Sequence, residues 1–175
     1  MKVAITGASH GLGQGLVNYF KTNNYNVLEL KERIINYEHN IVEKLEDSDV
    51  FINCSNSGDL QATLYSQVYQ AWKMENKTIV NILTSGIFYG SPNKTYLKSK
   101  QEFNDLIIQT RDLDKTVRIL NVYPNTLENN SNNFPKVKFN EVASTIEAAI
   151  KLPQDLELFA IGISRSNTNP KSNVI

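Results

Sequence analysis

Short, nearly continuous apolar runs alternate along the chain with stretches in which apolar positions recur three and four residues apart. The first pattern predicts strands buried on both faces, and the second predicts amphipathic helices. Lys2–Thr6 reads as a strand, and Leu12–Thr22 as a helix with Leu16, Val17 and Phe20 on one face. Tyr25–Leu30 reads as the second strand, after the Asn23-Asn24 break. From 31 to 48 the pattern weakens, leaving room for a short strand at Ile34-Ile35 and a short helix at Ile41–Leu45. Val50–Asn53, Lys77–Thr84, Thr116–Val122 and Leu156–Ile163 read as further strands. Leu60–Glu75, Tyr96–Asp112 and Glu141–Lys151 read as the helices between them, with loops at Ser85–Thr95 and Asn125–Lys138. Strands alternating with helices predict a parallel sheet covered on both faces. The expected class is α/β: a three-layer, doubly wound and mostly parallel sheet of six to seven strands. Residues 1–164 form the expected single domain, and 165–175 a polar tail.

Composition narrows the function classes. The 175 residues suffice for one core, and 41% apolar with 21% charged residues is an ordinary globular balance. Eighteen basic residues match eighteen acidic ones, and no Lys/Arg block stands out, which argues against nucleic acid or an anionic membrane as partner. No stretch reaches the ~20 apolar residues of a membrane span, and no signal-peptide pattern opens the chain. A single cysteine, Cys54, excludes an internal disulfide and suits a reducing compartment. The expected location is cytoplasmic, and no metal-ligand cluster is expected.

Three constellations carry candidate chemistry. The first is Thr6-Gly7-Ala8-Ser9-His10-Gly11-Leu12-Gly13, between the first strand and the first helix. Glycines there permit a tight turn, and the helix start aims free N–H groups at a phosphate. Gly7, Ser9, His10, Gly11, Leu12 and Gly13 are the expected contacts to a dinucleotide. The second is the end of the second strand, where an acid selects a ribose 2′-hydroxyl and a base a 2′-phosphate. Lys31 falls there and favours NADP(H) over NAD(H). Glu29 is the competing position and favours NAD. The third is Tyr96 and Lys100, one helical turn apart on a shared face. An ammonium beside a phenol lowers the phenol pKa, and such a Tyr can pass a proton to a carbonyl or alcohol oxygen. Ser85, 11 residues earlier, is the expected partner hydroxyl, with Thr84 as its rival.

Together these residues resemble the short-chain dehydrogenase/reductase family over nearly the whole chain. Thr6–Gly13 is similar to its Thr-Gly-x-x-x-Gly-x-Gly, and Phe51–Gly58 resembles its Asn-Asn-Ala-Gly element. Tyr96 and Lys100 match its Tyr-x-x-x-Lys pair, and the strand ending at Pro124 resembles the one leading to the nicotinamide loop. The resemblance implies a Rossmann-type fold, with residues 1–164 as a single NAD(P)-binding domain, and NAD(P)-dependent oxidoreduction of a small carbonyl/alcohol substrate. It makes Tyr96 the acid/base, with Lys100 beside it and Ser85 polarising the substrate oxygen. Asn53 and Ser55 would line the adenosine-ribose side, and Pro124, Thr126 and Leu127 would abut the nicotinamide.

The chain also departs from the family. Asn125 replaces the usual Gly, and the segment that would carry the active-site Asn is missing, Asn56 being only a remote candidate. A cofactor-binding sensor or interaction protein without catalysis is therefore the alternative reading. A homodimer or higher homo-oligomer is expected, with Tyr65, Tyr69 and Trp72 either anchoring it or packing on the sheet.

Overall fold

The computed structural model describes residues 1–31, 37, 39–55, 58–91, 93–110, 115–131, 135–153, 155–156 and 158–165. The strands are β1 (Lys2–Thr6), β2 (Asn26–Leu30), β3 (Val50–Asn53), β4 (Thr78–Ile82), β5 (Arg118–Pro124) and β6 (Ala160–Ile163). Between them lie α1 (Gly11–Thr22), α2 (Ile41–Lys44), α3 (Gly58–Trp72), α4 (Gly86–Tyr89), α5 (Lys94–Gln109) and α6 (Phe139–Ile150). All six strands pair in parallel, in the order β2-β1-β3-β4-β5-β6. The order reverses between β1 and β3, which opens a crevice at their carboxyl ends. The proposed strand at Ile34-Ile35, the position Asn56 and the tail from 166 onward lie outside the described residues.

The apolar runs work as two-sided strands. Val3, Ile5, Ile52, Val80, Leu120 and Val122 face α1 and α6, where Leu16, Val17, Phe20, Val142 and Ile146 complete one core. Ala4, Phe51, Ile79 and Ile119 face the other way, onto Leu64, Tyr65, Val68 and Trp72 of α3 and Phe103 and Ile107 of α5. Burial of side chains this size contributes roughly 1.5–3 kcal/mol each before entropy is counted. Tyr65, Tyr69 and Trp72 are 0%, 4% and 2% exposed, so the chain's own sheet takes up the three aromatics offered as interface anchors.

Three boundaries move for local reasons. Helix α5 begins at Lys94 because Asn93 caps it, its side chain accepting from Tyr96 N at 3.0 Å. The loop expected from Ser85 to Thr95 contains the short helix α4, ended by Gly90 at φ +85°. Strand β5 runs through Pro124, because its last residues still pair with β6.

Candidate active site

The crevice between the ends of β1 and β3 opens into a cleft of about 630 Å³. Its floor is stitched by Thr6, whose Oγ1 accepts from the backbone N–H groups of Cys54 (2.9 Å) and Ser55 (3.2 Å). Gly7 turns the chain there at φ +67°, a conformation that a side chain disfavours. Gly13 permits close contact: a Cβ on it would lie 2.1 Å from the Gly7 carbonyl oxygen. The N-terminus of α1 thus sits directly on the turn. His10 makes no side-chain cap, and the first turn of α1 holds no acid. The leading N–H groups and the positive end of the helix dipole are therefore available to an anion.

Twelve of the sequence-derived site residues line this cleft: Gly7, Ser9, His10, Gly11, Leu12, Gly13, Lys31, Ser55, Tyr96, Lys100, Pro124 and Leu127. Three others lie apart from it. Asn53 is fully buried, and its Nδ2 donates to the Gln61 backbone oxygen at 2.9 Å. The Thr126 carbonyl accepts from Val137 N at 2.7 Å. Ser85 is buried at the start of α4, its backbone N–H donating to the Pro124 oxygen at 3.1 Å. That bond ties the ends of β4 and β5 together and leaves Thr84 facing the cleft.

Thr84 is the hydroxyl that lines the cleft with the phenol, and its side chain acts on the Tyr96 pKa. Thr84 Oγ1 also accepts from Gly86 N at 3.2 Å, which fixes its orientation. The electrostatics differ from the sequence expectation. Burial raises the Tyr96 pKa above that of a free tyrosine, while Thr84 pulls it down and Cys54 pushes it up. Lys100 does not supply the expected lowering, because its ammonium is engaged elsewhere. Lys100 Nζ donates to Gln61 Oε1 at 2.6 Å and to the Ile82 oxygen at 3.1 Å, and stands 5.7 Å from the Tyr96 ring centroid. Burial lowers the Lys100 pKa to about 8, and raises that of Cys54, beside it, to about 12.

At the other end of the cleft, Lys31 pairs with Glu29 at 2.8 Å, and Lys21 binds the same carboxylate. Hydrogen bonds from Lys21 and Lys31 hold the Glu29 carboxyl below its usual range. Lys31 reaches the cleft and Glu29 does not.

Sequence reasoning missed Thr6, Tyr37, Cys54, Leu60, Asn125 and Asn129 in the lining. Thr6 belonged to the Gly-rich motif but had no stated task. Asn129 lies in the polar loop, and its Nδ2 comes within 3.5 Å of where a Cβ on Gly11 would stand. The loop is held over the turn by the Leu127–Val137 bridge and by Glu128 Oε1, which accepts from Phe139 N at 2.8 Å.

No protein-family model and no curated protein matches the sequence. Solved structures do resemble the fold. Serine dehydrogenase from Escherichia coli superposes with a TM-score of 0.76 at 14% identity, covering 93% of this chain and 97% of that one. A short-chain dehydrogenase/reductase from Vibrio parahaemolyticus gives 0.73 at 17% identity, covering 95% and 100%. The alcohol dehydrogenase of Thermococcus sibiricus, complexed with 5-hydroxy-NADP, gives 0.71 at 13% identity, covering 93% and 95%. The chain has the short-chain dehydrogenase/reductase fold. In this fold the cleft lies where the strand order switches, and Thr84, Tyr96 and Lys100 stand on its wall. Among the described residues no helix is long and apolar enough to cross a membrane, and no cluster of His, Cys, Asp or Glu could hold a metal ion.

Proposed function

We propose that the protein is an NAD(P)(H)-dependent oxidoreductase of the short-chain dehydrogenase/reductase type, acting on a small carbonyl/alcohol pair. The observation that carries this reading is the convergence in one cleft of an uncapped helix N-terminus on a Gly-rich turn with the Thr84 hydroxyl, the Tyr96 phenol and Lys100. The turn fits a diphosphate, since Gly7 and Gly13 keep clear the space that Cβ atoms would fill. Lys31 is the candidate contact for a 2′-phosphate and favours NADP(H), with Glu29 turned to neutralise the lysines instead. A bound nicotinamide would supply or accept hydride.

The chain's own residues handle the proton and the developing charge. Tyr96 Oη gives a proton to the carbonyl oxygen in reduction and takes it back in oxidation. Thr84, on the cleft wall with the phenol, offers its hydroxyl to the same oxygen, the role first assigned to Ser85. Lys100, held by Gln61 and the Ile82 oxygen, places a cationic donor on the same wall of the cleft as the phenol. Pro124 and Leu127 bound this end of the cleft with apolar surface.

The test is oxidation of NADPH and NADH with a panel of carbonyl compounds, repeated with Tyr96→Phe. We expect turnover with NADPH and a loss of about 10²–10⁴-fold in the variant. Cofactor binding without turnover on any carbonyl would favour the non-catalytic alternative, and full activity in the variant would remove Tyr96 from the mechanism.

A further inference from the structure

The sequence offered no neighbour for Lys100 from the region after β3, and the structure supplies one in the first turns of α3. Gln61 is 1% exposed. Its Nε2 donates to the backbone oxygens of Asn53 (2.7 Å) and Ile82 (3.2 Å). Those carbonyls accept only, so the amide cannot be reversed without setting oxygen against oxygen and NH2 against an ammonium. Gln61 Oε1 is therefore committed to Lys100 Nζ, at 2.6 Å. Asn53 Nδ2 closes the arrangement from the other side by bonding the Gln61 backbone oxygen.

An ammonium carries three donors. Gln61 and the Ile82 carbonyl take two of those of Lys100, and Lys100 also lines the cleft, so the third is left for the cleft. Both acceptors are neutral, and among the described residues no carboxylate forms an ion pair with Lys100. Among the described residues two titratable groups face it: Cys54 after β3 and Tyr96 on α5. From α3 and β4 it meets only the Gln61 amide and the Ile82 carbonyl.

We propose that Gln61 is a positioning residue for Lys100. It holds the lysine with one N–H directed into the cleft and stabilises its ammonium by a neutral dipole in place of a counter-charge. The proposal rests on the oxidoreductase reading for its purpose, and on the hydrogen-bond geometry for its substance. A buried ammonium held by neutral partners can lose its proton near neutral pH, whereas a carboxylate in the same place would lock it charged. Lys100 then titrates within the working range, and the pH at which it does so is set by Gln61.

Lysine ¹³Cε/¹⁵Nζ NMR of the full chain, recorded without cofactor, tests this. The Lys100 signal is assigned by its loss in Lys100→Arg. In the unmutated protein we expect a nuclear Overhauser contact between the Lys100 and Gln61 side chains and a titration midpoint near 8. Gln61→Met should lower the midpoint by about one unit, because the charged form loses an acceptor, and Gln61→Glu should raise it by at least about that much. The pH midpoint of kcat/KM should follow in the same two directions, which a merely structural residue would not produce. An absent Overhauser contact, or an unchanged Lys100 midpoint in a folded variant, overturns the proposal. Because the titration needs no turnover, an inactive wild type with these shifts intact would refute the oxidoreductase reading alone.

Discussion

At the scale of single residues, the site turns on which of two adjacent hydroxyls faces the phenol. Thr84 and Ser85 both follow β4, and one step of chain separates a residue that lines the cleft from one buried at the start of α4. Ser85 is buried, its N–H donating to the Pro124 oxygen, whereas Thr84 lines the cleft with Tyr96. Thr84→Ala should therefore cost about 10²-fold in kcat, the usual effect of deleting one donor to a developing oxyanion. Ser85→Ala should leave kcat near wild type. Parallel steady-state kinetics of the two variants decide the matter, and the reverse ranking would return the role to Ser85. Sequence order narrows the choice to this pair but cannot separate them, because which of the two lines the cleft depends on how the segment after β4 packs in three dimensions.

At the scale of elements, the strands and most helices were legible in the sequence, since runs buried on both faces leave an apolar signature that needs no knowledge of neighbours. Helix ends were less so. Helix α5 starts two residues early at its Asn93 cap, and α3 begins before its first apolar residue, at Gly58, with Gln61 in its first turns and under Lys100. A glutamine in a predicted helix reads as a solvated position, and only the packing of α3 against β3 and β4 makes it buried. The junction of β1 with α1 is the tightest contact between elements. Gly13→Ala would place a methyl 2.1 Å from the Gly7 oxygen. Backbone would have to move, at a cost of about 1–3 kcal/mol. Thermal melts should show a Tm lowered by roughly 2–4 °C per kcal/mol for a chain this size, and cofactor titration should show weakened binding. An alanine variant with wild-type Tm and affinity would argue that the turn is not the rigid cradle described.

At the scale of the whole molecule, buried titratable groups make stability depend on pH. Lys100 has a folded pKa of about 8 against 10.5 for a free lysine. Below pH 8 both states hold the proton. From 8 upward the folded protein loses it while the unfolded chain keeps it, so the unfolded state binds more protons and stability rises with pH. Cys54, Tyr65 and Tyr123 act in the opposite sense, since burial raises their pKa values to about 12. Their effect begins near pH 9, where a free cysteine starts to ionise. Urea unfolding should therefore show wild type gaining about 1 kcal/mol over Lys100→Met between pH 8 and 9. A difference that stays flat across this window would mean that Lys100 is not desolvated.

The sequence by itself determined the alternation of strand and helix, the Gly-rich turn at the first strand's end and the Tyr96/Lys100 spacing. These are local properties, set by side-chain periodicity and by backbone freedom within a few residues. The tertiary structure alone decided that Thr84 lines the cleft with the phenol and that Lys31 rather than Glu29 reaches the cleft. It alone placed Tyr65, Tyr69 and Trp72 inside the core and brought Gln61 under Lys100. Each of these outcomes depends on burial and on a hydrogen bond or ion pair made in three dimensions, at one particular end of a side chain. Such contacts arise only when the parallel sheet has brought distant segments into register, and no periodicity along the chain encodes them.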